Sequence, residues 1–182
     1  MLLFDQLLAT RRSRGSHHDF AEALGETTPR RYISGMVALN LPTSPDSGDW
    51  HTVEMLRALR RGARIPLCLV GEETSFDSFD YFGGDGIIDA SQVVAGLGET
   101  VEGPVHVATH ARAIADMLIS RLPEGWHGVA HLELDAWLPE PGKQSVVNLL
   151  LKARNRLDNE NVEVLERLLG RRLNQGGAEE AA

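Results

Sequence analysis

The residues whose types and spacing can do chemistry fall at the ends of short apolar runs. Asp49-Trp50-His51 comes first. Asp49 stands where a helix N-cap is expected, its carboxylate accepting from the free N–H groups of the first turn. His51 then lies in that first turn, where the helix dipole disfavours an imidazolium and leaves a neutral ring able to act as a base or ligand. The plainer reading is a capped helix with a packed or solvated histidine. His110 and Arg112 form a second cluster. Both fall in the first turn of a helix after a strand, where free N–H groups and the dipole favour an anion. Arg112 adds a planar fork of donors suited to carboxylate or phosphate. The competing reading is an ion pair between Arg112 and Asp116, four residues on.

Other candidates are weaker. His106 and His110 have the i, i+4 spacing that shares a metal on a helix, but Pro104, Val105 and Val107 make His106 a strand residue. A third ligand is missing, so no metal is expected, and no cofactor. Gly83-Gly84-Asp85-Gly86 lacks the Gly-Lys-Ser/Thr ending of a phosphate loop and reads as a turn. There is no Gly-x-Ser-x-Gly elbow. The only cysteine, Cys68, sits inside Ile-Pro-Leu-Cys-Leu-Val, reads as a small buried hydrophobe, and excludes an intrachain disulfide.

These clusters need a scaffold, and the hydrophobic pattern supplies one. Strands are expected at Tyr32 to Leu41, Ile65 to Val70 and Val105 to Ala108, each followed by a polar cluster and a helical pattern. That alternation implies an α/β fold with a small parallel or mixed sheet of three to four strands and flanking helices. Ligands of such sheets bind beyond the carboxyl ends of the strands, which would gather Asn40, Asp49, His51, His110 and Arg112 in one polar cleft. Helices are expected from Trp50 to Arg61, from Ala90 to Leu97 after Asp89, and after Thr109, whose stripe is Ile114, Met117, Leu118 and Leu122. Residues 129–138 fit either strand or helix, and Pro139 and Pro141 close them. Two helices, Lys143 to Leu157 and Asn159 to Leu173, make a C-terminal αα-hairpin. The expected organisation is an N-terminal helical arm at 1–30, mobile or docked, an α/β core at 31–140, the hairpin at 141–173 and a frayed tail at 174–182.

A length of 182 residues fits one core of this kind. The formal charge of −8 argues against nucleic-acid binding through bulk charge and suits docking onto a basic partner. No run approaches the roughly 20 apolar residues of a membrane span. The start has its arginines after the apolar residues, the wrong order for a signal peptide, so a cytoplasmic location is expected. Residues 72–86 form a polar loop carrying Glu72, Glu73, Asp77 and Asp80 with Phe76, Phe79, Tyr81 and Phe82. Its aromatics either pin the loop or present a binding surface.

The strings Tyr32-Ile-Ser-Gly-Met-Val-Ala-Leu-Asn40-Leu-Pro, Gly48-Asp49-Trp50-His51, Gly84-Asp85-Gly86-Ile87 and Val105-x-Val-Ala-x-His110-Ala-Arg112-Ala resemble small bacterial proteins with a Gly-Asp-Trp-His block. Those proteins are associated with toxin–antitoxin and phage-defence gene pairs, often beside a nucleotidyltransferase-type toxin. The resemblance spans residues 31–122. It implies an antitoxin-like protein whose partner is a toxin from the same operon. Two functions are therefore expected to compete. One is a protein-binding module that covers a basic active site, with Glu72, Glu73, Asp77 and Asp80 mimicking phosphates beside the aromatic residues. The other is a small enzyme or anion-binding domain, with His51 as general base, Arg112 as anion clamp and Asn40 orienting the bound group. Self-association is compatible with both.

Overall fold

The structure, a computed structural model, describes residues 24–43, 69–130 and 138–179. The expected strand at Tyr32 to Leu41 begins on time but is short. β1 covers Arg31–Ile33. Ser34 is still extended, and Gly35 at φ 63 then turns the chain into helix α1, Gly35–Leu39. That backbone is open to glycine at no steric cost. An uninterrupted apolar run such as Met36 to Leu39 does not distinguish a buried strand from a buried helix, which is why the strand was expected to continue. Val37, Ala38 and Leu39 are all buried.

Strand β2 is Leu69–Gly71, the end of the expected second strand; Ile65 to Cys68 and the helix from Trp50 to Arg61 lie outside the described residues. The segment after β2 contains a short helix, α2, Phe79–Phe82, where only a loop was expected. An unexpected strand, β3, follows at Ile87–Asp89. Helix α3, Ser91–Gly96, matches the short helix after Asp89, and strand β4 is His106–Ala108. The sheet order is β2-β1-β4-β3. The central pair β1–β4 is parallel, with Ile33 opposite Val107. Both flanking pairs are antiparallel. The protein is thus an α/β fold with a mixed four-stranded sheet.

Helix α4, His110–Arg121, starts directly after β4. Residues 112–119 are buried through two full turns, so α4 is enclosed rather than amphipathic. It packs against α1 on one side and against helix α6, Glu140–Arg154, on another. A 3-10 turn at Leu122–Glu124 and the short helix α5, Trp126–Val129, follow α4, so the first residue of the ambiguous 129–138 stretch is helical; residues 131–137 lie outside the described ones. Pro139 and Pro141 sit at the start of α6, where a missing N–H costs nothing. The last helix, α7, is Asn159–Glu179. It extends past the expected boundary at 173, through Glu179. Adding residues to an established helix needs no new nucleus. Leu149, Leu150 and Ala153 of α6 and Leu165, Leu168 and Leu169 of α7 join the same core as the sheet. The C-terminal hairpin is therefore bound into the α/β core.

Thr109 is the N-cap of α4, as its sequence position suggests, and its Oγ1 accepts from the Arg112 N–H at 3.3 Å. Thr109→Ala should lower stability by about 1 kcal/mol, read as a lower urea midpoint at unchanged slope. An unchanged midpoint would mean the long bond contributes nothing.

Candidate functional site

The first two turns of α4 build the most highly connected polar group in the described residues. Arg112 and Asp116, one helical step of four apart, are both fully buried, and Arg112 Nε donates to Asp116 Oδ1 at 2.8 Å. The alternation Tyr32-x-Ser34 places two hydroxyls on one face of the extended chain. Both reach this carboxylate: Tyr32 Oη and Ser34 Oγ donate to Asp116 Oδ2 at 3.1 and 2.7 Å. Ser78 Oγ, just before α2, donates to Asp116 Oδ1 at 2.6 Å.

The guanidinium is just as fully engaged. Its Nη2 donates to Tyr32 Oη at 2.6 Å and Ser78 Oγ at 3.1 Å. Its Nη1 donates to the Gly83 and Asp85 carbonyls at 3.0 and 2.6 Å. An arginine has five N–H donors, and with the Nε bond all five are used. The rings of Tyr32 and Phe82 lie 5.1 and 4.8 Å from its central carbon. The 83–86 turn can come this close because residue 86 is glycine. At φ 73, a Cβ there would stand 2.8 Å from Arg112 Cβ and 3.0 Å from Thr109 Oγ1.

Burial pushes the Asp116 carboxyl upward, against the Arg112 charge and the hydroxyl donors that hold it down. Burial, reinforced by the Asp116 charge, also drives the Tyr32 phenol far above its ordinary value, so Tyr32 stays a neutral donor. A fully satisfied, dry cluster of this kind is an internal tie and offers no open coordination to a ligand. The anion clamp expected at Arg112 is therefore corrected: the i, i+4 pairing with Asp116 holds instead. Tyr32, Ser34, Ser78 and Asp116 carried no joint signal in sequence, because their contacts cross between distant segments.

The other expected site residues separate into groups. Asn40 is buried at the C-cap of α1, where its Nδ2 donates to the Met36 carbonyl at 2.7 Å. His110 opens α4, with Nε2 2.9 Å from the Leu41 carbonyl. These two meet at one junction, while Arg112 reaches the 83–86 turn. Asp49 and His51 lie outside the described residues. His106 and His110 straddle the strand–helix boundary as expected. Asp89, Ser91 and His106 come together without forming a catalytic triad. The Asp89 carboxylate accepts directly from the Ser91 hydroxyl and N–H, which holds its carboxyl below the usual range, so no imidazole stands between acid and hydroxyl. Among the described residues, no three His, Cys, Asp or Glu side chains gather as a metal site requires.

In the segment 72–82, the acidic and aromatic residues divide. Glu72, Glu73, Asp77 and Asp80 are exposed. Phe82 is buried, and Phe76 and Tyr81 pack against the core. Phe79 lies under the Arg30 guanidinium at 4.5 Å. Phe76, Tyr81 and Phe82 therefore anchor the segment, while Phe79 stays half-exposed beneath Arg30. Thr74 Oγ1 donates within the turn, to the Gly71 and Phe76 carbonyls, and Asp77 Oδ1 accepts from the Phe79 N–H at the start of α2. A separate cleft of about 520 Å³ opens between the start of α4 and the face of α6. No helix among the described residues is long and apolar enough to cross a membrane. No family model, curated protein or solved structure matches the chain.

Proposed function

We propose that this chain is a partner-binding protein, antitoxin-like in action, that covers a basic surface of a toxin encoded beside it in a bacterial cytoplasm. The observation that carries this reading is the division of segment 72–82. Four carboxylates face solvent on a backbone that Phe76, Tyr81 and Phe82 fasten to the core. A surface held in shape before binding avoids the ordering cost that weakens flexible ligands. Carboxylates at Glu72, Glu73, Asp77 and Asp80 suit an active site built for phosphates. Nearby arginines soften the charge only in part: Arg31 pairs with Glu26 and approaches Glu73 at 3.7 Å.

The test uses the product of the adjacent gene as the partner. Association is followed by stopped flow at several salt concentrations, for the natural chain and for a Glu72→Lys, Asp77→Lys, Asp80→Lys variant. Electrostatic steering raises association rates by about 10-fold or more over a neutral encounter. The variant should lose about that factor, together with most of the salt dependence. Rates indifferent to both salt and charge reversal would refute the acidic docking surface.

A further inference from the structure

We infer that the cleft between α4 and α6 binds a small molecule in which an oxyanion is joined to an apolar body. This inference does not rest on the partner-binding reading. On α6, Ser145, Asn148, Leu149 and Lys152 recur at spacings of three, four and seven, which place them along one face of a helix. All four line the cleft. The opposite wall is the start of α4, with Thr109, His110 and Ala111. Leu138 and Leu149 contribute apolar surface beside these polar groups. The volume of about 520 Å³ lies within the range of small-molecule sites.

Lys152 identifies the charge of the occupant. Its ammonium is paired with the Asp85 carboxylate, and the two side chains are 59% and 50% exposed. The structure therefore already contains an oxyanion seated on Lys152. An ion pair this exposed contributes little to stability, so a ligand carboxylate or phosphate can take the place of Asp85. Asn148 accepts through Oδ1 from Gln144, and its Nδ2 has no partner among the described residues. That leaves an amide donor on the same helix face, one turn from Lys152. The Ser145 hydroxyl donates to the Pro141 carbonyl and His110 Nε2 is held at Leu41, so neither is the anion's principal partner. The first-turn N–H groups of α4 add partial positive charge along the opposite wall.

Asp85 competes internally for Lys152. Its backbone carbonyl is fixed by Arg112 from inside the protein. Displacing the carboxylate therefore leaves the turn in place.

The test is a titration of the isotopically labelled full chain with phenyl phosphate, inorganic phosphate and phenol, followed by amide NMR shifts. Phenyl phosphate should give saturable shifts at Thr109, His110, Ala111 and the Asn148 side chain. Inorganic phosphate and phenol, each lacking one half of the recognised chemistry, should bind at least about 10-fold more weakly. Lys152→Met should weaken phenyl phosphate by about 10-fold, whereas Asp85→Asn should strengthen it by removing the competitor. Lys152 is exposed, so its variant tests the site and not the fold; an unchanged shift pattern elsewhere confirms that. Shifts that never saturate, that scatter over surface cations, or that ignore both variants would overturn the assignment.

Discussion

Arg112→Met is expected to cost about 3–5 kcal/mol of folding stability, the penalty for leaving one charge of a buried pair without its partner. Near 180 residues, each kcal/mol corresponds to roughly 2–4 °C, so the thermal midpoint should fall by roughly 6–20 °C. The loss should depend on pH. Asp116 is already pushed upward by burial, and without the guanidinium its folded-state value rises further. A carboxyl whose folded value exceeds its unfolded value contributes stability that is full below the unfolded value and lost as pH rises through the folded one. The gap between variant and natural chain should therefore narrow as pH is lowered from neutral. Adding Asp116→Leu to Arg112→Met should cost far less than the sum of the two single changes. A residual cost remains, because Tyr32, Ser34 and Ser78 lose their acceptor. Additive effects in urea titrations would mean that the pair is not a unit.

Gly71→Ala should also destabilise strongly, by roughly 2–4 kcal/mol, from backbone strain and overpacking together. Gly71 has φ 111, and a Cβ there would lie 1.9 Å from the Arg30 carbonyl oxygen and 2.9 Å from its carbon. Those atoms are backbone of the residue that leads into β1, so relief requires moving the chain. The β1–β2 pairing that sets Arg31 opposite Gly71 would open, and so would the Glu72 N–H bond to the same carbonyl. The acidic segment starts at this point, so partner association should fall with stability. Gly84→Ala is the control, since a Cβ there meets nothing within 4 Å. Equal urea midpoints for the two variants would contradict this account.

What could be read in the sequence was what local pattern controls. Thr109 as cap, the Arg112–Asp116 spacing and the C-terminal hairpin all follow from helical periodicity or capping chemistry. The strand at Tyr32 was overextended because Met36 to Leu39 is apolar enough for either structure, and Gly35 was the only punctuation. Ile87–Asp89 was missed because three residues cannot display an alternation. The Arg112 cluster was half visible: its ion pair is local, but its hydroxyls come from segments that only the tertiary fold brings near. The same reasoning explains the mistaken anion clamp. Position in a first turn says that a side chain is near a dipole, not whether it faces solvent.

The separation of those segments along the chain also bears on how the protein is made. Arg112 lies 80 residues from Tyr32, and Asp116 lies 82 from Ser34 and 84 from Tyr32. During synthesis, at about 5–20 residues per second, the two hydroxyls leave the ribosome several seconds before their acceptor is translated. β1 also waits for its parallel neighbour β4 over that interval. Contacts of such long range pay loop closure before they return any stability. The nascent N-terminal half is therefore an incomplete sheet with an exposed central strand, and translation through α4 sets the earliest moment at which it can close.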